Sequence, residues 1–345
     1  MIRAALLAIA AAVHAAPTVA QEAVATFGPG DAGTSLVLRT TTDIDVFGPT
    51  VAAFLATRPD LSVRFEQWGS NDLHALTAAD CAAGQRGADI VISSGVHQMV
   101  DLVNERCAAD WRSAATAALP PDLRWRDEIW GISREPAVIV YNRRLVPADE
   151  VPRTRFDILD LLRPATSVYA GRVATYDIEA SGLGFLFAYA DSQEASTFGA
   201  LMEAFARSGA VATCCSAEII RGVAEGDYLI AYNVLGSYAA LEAAENPDLG
   251  IVLPGDYTLV LSRAAILPGP EPARDAAGAF LDFLLSPEGQ REMALMQLRM
   301  DEEEEDGTVP FRSIPLSPVL LVAMDRAHES RFIARWRAAF GAPEP

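Results

Sequence analysis

From about Ser35 onward, short β-rich runs alternate with helical stripes. Leu36-Val37-Leu38, Leu61 to Phe65 and Asp89 to Ile92 read as strands, and Phe47, Val51, Phe54 and Leu55 recur at helical spacing between the first two. This order predicts an α/β architecture built on largely parallel sheets. In such sheets ligands gather at the carboxyl ends of the strands. Those ends are Thr40 to Asp43, Trp68 to Asn71 and Ser93 to Gly95.

The pattern changes at Trp130 to Asn142, where β-branched residues follow Pro136. Proline forbids helix there, so the segment is expected to run extended, as a hinge strand between two lobes. A second set of elements follows: a strand over Arg172 to Thr175, a helix through Phe185 and Tyr189, a strand over Tyr228 to Tyr232 and a helix from about Tyr238. Leu249 to Leu253 and Leu259 to Ile266, with the turn Pro254-Gly255-Asp256 between them, are expected to bring the chain back to the first lobe. Near the end, Phe280, Phe283 and Leu284 make one helical stripe, Ser286 is placed to cap a second helix, and Pro287 suits that helix's first position. Leu320, Leu321, Met324, Phe332 and Trp336 then suggest an amphipathic helix laid on the body. The expected division is 1–20 as an export signal, 35–133 as the first part of lobe 1, 134–253 as lobe 2, 254–300 as the return to lobe 1, 301–308 as an acidic loop and 309–345 as a C-terminal helical segment.

A length of 345 residues agrees with two domains. Arg3 followed by the apolar run Ala4 to Val13 is too short to span a bilayer, and Thr18-Val19-Ala20 suits a cleavage site before Gln21. Export to the periplasm is therefore expected, with a soluble mature chain. A net charge of -19 argues against nucleic acid as a partner. It does not exclude an anionic ligand, because pocket amides act within a few ångströms while distant charge is screened. An oxidising compartment permits disulfides among Cys81, Cys107, Cys214 and Cys215. Cys81 with Cys107 is the favoured pairing, and the adjacent Cys214 and Cys215 are open between a vicinal disulfide and two packed thiols. The acidic run Asp301 to Asp306 reads as a solvated loop.

No nucleophile elbow, zinc-protease motif, phosphate-binding loop or dinucleotide fingerprint occurs, and His74, His97 and His328 fall on separate predicted helices as surface or capping residues. No catalytic residue, metal site or cofactor is expected. The positive signal is a set of small residues at strand-to-helix junctions: Thr41, Ser70, Ser94, Gly95, Ser181 and Gly182. Helix starts leave backbone N–H groups without intrahelical partners, and these can be turned on a carboxylate or phosphate. Tyr176, Tyr232, Asn233 and Tyr257 are expected to line the same gap.

Three passages resemble the periplasmic solute-binding proteins of ABC importers, in the ferric-iron, phosphosugar and polyamine branch. They are Ala88 to Gly95, the crossing segment Trp130 to Asn142, and Phe280 to Gln290, which ends S-P-E-G-Q. The resemblance implies a two-lobed, type II-like fold closing on a ligand, and, as partners, an inner-membrane ABC permease or else a sensor kinase, with the protein itself a monomer. Asp256 to Val260 resembles the D-G-T-L-V segment of phosphosugar binders, which makes Thr258 a ligand candidate. Iron binders carry neighbouring tyrosines where this chain reads Asn233-Val234-Leu235-Gly236-Ser237-Tyr238. Ferric iron prefers anionic oxygen, so a small organic anion (phosphosugar, phosphonate or carboxylate) is the expected ligand, with a ferric-iron binder or a periplasmic hydrolase as the alternative readings.

Overall fold

The computed structural model describes residues 21–194, 196–269, 275–300 and 309–341. The proposed export signal and the acidic run lie outside them. In the first lobe, β1 (Gln21–Phe27), β2 (Thr34–Thr40), β3 (Leu61–Trp68) and β4 (Ile90–Ser93) are joined by α1 (Ile44–Ala56) and α2 (Ser70–Ala82). β3, β2 and β4 pair in parallel, as crossover helices require, whereas β1 pairs antiparallel with β3 along the edge. After α3 (Val96–Asn104), the short strands β5 (Ala108–Ala109), β6 (Arg124–Trp125) and β7 (Ile129–Gly131) complete this lobe's first passage, with α4 (Ala114–Ala118) among them.

The chain then crosses. β8 (Glu135–Asn142) is the centre of a second sheet, beyond which come α5 (Arg155–Leu162), β9 (Val173–Tyr176), α6 (Gly182–Glu194), α7 (Phe198–Ser208), β10 (Val211–Thr213), α8 (Ser216–Glu225), β11 (Ile230–Leu235), α9 (Gly236–Glu245), β12 (Leu249–Val252) and β13 (Thr258–Leu261). β10, β9 and β11 are parallel, while β8 runs antiparallel to β11, β12 and β13. Both sheets are therefore mixed rather than largely parallel, because a strand that enters from the other lobe runs against its neighbours. β12 and β13 both stay in the second sheet, so the return falls at Ser262-Arg263, later than the sequence suggests. β14 (Ala264–Pro268) then pairs with β4 and β7 in the first sheet.

α10 (Asp275–Leu285) and α11 (Pro287–Leu295) follow. Phe280 packs on Phe54 of α1 with ring centroids 4.8 Å apart, inside a core that includes Leu36, Leu38, Phe65 and Ile92. Ser286 caps α11 by accepting from the Gly289 N–H at 3.1 Å. Gln290 donates to the Ile132 carbonyl at 3.1 Å, which ties this helix pair to the first crossing. Last, β15 (Phe311–Ser313) pairs with β13, and α12 (Arg326–Phe340) lays Phe332 and Trp336 on the second lobe's core. No described helix is long and apolar enough to cross a membrane. All four cysteines are paired, Cys81 with Cys107 and Cys214 with Cys215.

Candidate functional site

The lobes meet directly. The Gly182 N–H donates to Ser70 Oγ at 2.8 Å, the Asn71 amide donates to the Glu179 carbonyl at 2.9 Å, and the Asp43 N–H donates to the Tyr238 hydroxyl at 3.3 Å. His97 of α3 stacks on Phe185 of α6. It is 2% exposed, so the expectation of a surface or capping role is corrected: an uncharged imidazole fills the interlobe contact. His74 bonds Asp101 at 3.0 Å, and His328 lies on the exposed first turn of α12.

Between the lobes lies a cavity of about 210 Å³. Its first-lobe wall includes Glu22, Thr41, Asp43, Trp68, Ser70 and Ser94, and its second-lobe wall includes Tyr176, Ser181, Cys214, Cys215, Ser216 and Tyr238. The Thr41 and Ser94 hydroxyls sit 3.2 Å apart. Tyr176 bonds Ser216 at 2.6 Å and accepts from the Leu235 N–H at 3.2 Å, and burial pushes its phenol up to about 12. Of the helices that start at this wall, α1 after Asp43, α2 after Gly69, α8 after Cys215 and α9 after Leu235 have no side-chain cap, whereas α6 is capped by Ser181, which accepts from the Gly184 N–H at 3.0 Å. Ser113, Thr154, Ser286 and Asp325, which lie away from the cavity, do cap their helices. The positive ends of the uncapped helices therefore face the cavity, that of α1 beside its own N-cap carboxylate Asp43 and the other three without a protein anion in the capping position.

Arg263, at the return crossing, also lines the cavity. It is 1% exposed and doubly bonded to Glu135, through Nε at 2.9 Å and Nη2 at 3.1 Å, while Nη1 reaches Thr42 at 2.9 Å. Ser133 and Ser237 each donate to Glu135 at 2.6 Å, and Ser133 accepts from the Arg263 N–H at 2.8 Å. Both crossings thus fix the guanidinium's orientation. The sequence reading missed it. A lone arginine inside the apolar run Leu259 to Leu267 was the available signal, since such a charge is buried only when partnered.

Of the residues singled out beforehand, Thr41, Ser70, Ser94, Tyr176 and Ser181 reach the wall. Gly95 and Gly182 adjoin it, their N–H groups donating to Ser93 and Ser70. Asn233, Tyr257 and Thr258, expected beside them, are not among the residues that line this cavity. Tyr257 and Tyr232 both donate to the buried carboxylate of Asp191, which also pairs with Arg155 at 2.8 Å. A buried ion pair needs its remaining lone pairs satisfied, and that demand turns both rings into the lobe. Thr258 bonds the Pro254 carbonyl at 3.0 Å, and Asn233 is buried with a left-handed backbone, φ 62°. A larger groove of about 650 Å³ runs beside the crossings, but the helix that begins in it, α11, already has its Ser286 cap. The described residues hold no cluster of His, Cys, Asp and Glu suited to a metal.

The family described as bacterial extracellular solute-binding protein matches residues 50–299. A substrate-binding protein of an ABC transporter from Agrobacterium tumefaciens is 31% identical, with a TM-score of 0.87 over 93% of this chain and 99% of the other. AfuA from Actinobacillus pleuropneumoniae, solved with fructose-6-phosphate, shares 15% identity at a TM-score of 0.70 over 90% of this chain and all of its own. Iron-bound HitA from Pseudomonas aeruginosa shares 17% at 0.66, with the same coverage. These last two likenesses speak to the fold alone. No curated protein sequence matches the chain. With 250 consecutive residues matched and two lobes meeting around a cavity, the chain belongs to the bacterial extracellular solute-binding proteins.

Proposed function

We propose that this protein is the periplasmic receptor of an ABC importer, and that it captures a small organic solute bearing a carboxylate, phosphonate or phosphate by lobe closure. The observation that carries this reading is Arg263, buried and aimed by both crossings at a cavity ringed by uncapped helix starts. The anionic group sits against the guanidinium and the first-turn amides. Thr41, Ser70 and Ser94 supply hydroxyls from one lobe, and Tyr176, Ser181 and Ser216 from the other. No bond is made or broken. Each buried hydrogen bond to a charged group contributes about 1.5–3 kcal/mol, so a few suffice for micromolar binding after ordering costs. The cavity's volume is below the range of drug-sized sites, which favours a compact solute.

Delivery to an inner-membrane permease is supported by the Agrobacterium relative, which is described as serving an ABC transporter. Export is supported by the N-terminal sequence and by the extracellular character of the family. Native mass spectrometry of protein purified from its source is expected to find one small organic acid released unchanged. A thermal shift with ferric iron alone, and none with any organic acid, would overturn the ligand class.

A further inference from the structure

The wall of the cavity carries more negative than positive charge. Glu22, Asp43 and Asp72 all line it, while Arg263, the one cationic side chain there among the described residues, is already paired with Glu135. Elsewhere in these lobes carboxylates take arginine partners, as Glu66 does with Arg39 and Arg64, and Asp191 with Arg155. At the cavity the arrangement differs. The Gln67 amide donates to Asp43 Oδ1 at 2.8 Å and to Glu22 Oε2 at 3.1 Å, so a neutral group ties two carboxylates together. Gln67 Oε1 accepts from the Ile44 N–H at 3.1 Å, which fixes the amide with its NH₂ toward the acids.

This geometry leaves two like charges held side by side at a solute cavity. Burial raises the Asp43 carboxyl above its ordinary value, Arg263 opposes the rise, and Glu22 and Asp45 add to it. A simple anion would face this pair unfavourably, whereas a cationic group placed beside it relieves the repulsion. Donors for an acid group are nonetheless present close by. Arg263 bonds Thr42, the residue next to Asp43, and Trp68, 9% exposed on the same wall, has an indole N–H with no partner among the described residues.

We infer that the solute is a small zwitterion, its protonated amine received by Asp43 and Glu22 and its acid group by Arg263 and the neighbouring N–H donors. The inference rests on the proposed function and narrows its ligand class to an amino-bearing organic acid. Because Arg263 bonds Thr42, the residue next to Asp43, the acidic and basic groups of the wall lie close together and only a short carbon chain separates the two ends of the solute.

Calorimetry with ω-amino carboxylates and ω-amino phosphonates of one to three methylenes, each beside its desamino acid and its simple amine, tests this. The amino acid of the best length is expected to bind more than about tenfold tighter than either counterpart. Asp43→Asn, which retains a good capping residue, should remove that advantage by weakening the amino acid while the desamino acid, relieved of the repulsion, binds at least as tightly as before. Glu22→Gln is the second variant, should the first fail to fold. Desamino acids binding as tightly as their amino forms would overturn the zwitterion and leave the anion receptor standing. Amines binding as well as the amino acids would overturn it too. Binding of neither acids nor amino acids would remove the proposed function and this inference together.

Discussion

A guanidinium with 1% exposure is tolerated only because Glu135 meets it with both oxygens. Glu135→Gln, nearly isosteric but uncharged, should therefore destabilise the protein by about 3–5 kcal/mol in urea unfolding, since it leaves a buried charge without its partner. The double change Glu135→Leu with Arg263→Met should recover much of that loss and still abolish solute binding, which separates the residue's two roles. His97 gives a pH signature. Burial lowers its pKa to about 3, His74 pushes in the same direction and Asp101 opposes them. The unfolded chain thus takes up the proton first: the stability is fully present above about pH 6.5 and falls by up to about 1.4 kcal/mol per pH unit as pH drops toward 3. His97→Leu should flatten that acid limb in thermal melts. At this scale the sequence was a partial guide. Thr41, Ser70 and Ser94 were visible because strand ends in a crossover fold point to one place. Tyr257 and Asn233 carried the same local signal, but their direction is set by partners as distant as Asp191, 66 residues from Tyr257, which no local pattern reveals.

Helices and their starts were easier to read, because periodicity and capping are local. The Phe280 to Gln290 passage forms the two helices expected of it, with Ser286 as cap and Pro287 first. The return crossing was harder, since Leu259 to Ile266 reads as one continuous strand and only pairing shows that β13 and β14 belong to different sheets. The two disulfides differ in what they constrain. Cys81–Cys107 closes a loop with a sequence separation of 26 that spans β4 and α3. Replacing both by serine should lower stability by about 3.5 kcal/mol on the loop-entropy account, whereas the same change at Cys214 and Cys215 should lower it far less. Gly184 in α6 is a tighter constraint. A Cβ there would lie 2.4 Å from the Cβ of Tyr176, so Gly184→Ala should displace a tyrosine of the cavity wall and weaken solute binding more than about tenfold, read by calorimetry.

For the whole molecule, two crossings joined by Ser133, Glu135 and Arg263 hold the lobes at one hinge. The contacts between Ser70 and Gly182 and between Asn71 and Glu179 bridge the lobes, and under the proposed capture by closure they hold the shut form. Small-angle scattering is expected to show a smaller radius of gyration with solute than without it, and Ser70→Ala should shift the solute-free population toward the larger value. Identical profiles in both conditions would count against capture by closure. One edge of the fold has a practical corollary. β1 begins at Gln21, whose backbone is registered against Trp68, and its next residue, Glu22, faces the cavity. A purification tag or fluorophore fused ahead of that strand would hang over the mouth of the site and compete with the guest for entry, so recombinant material intended for affinity measurements is best labelled beyond the last helix.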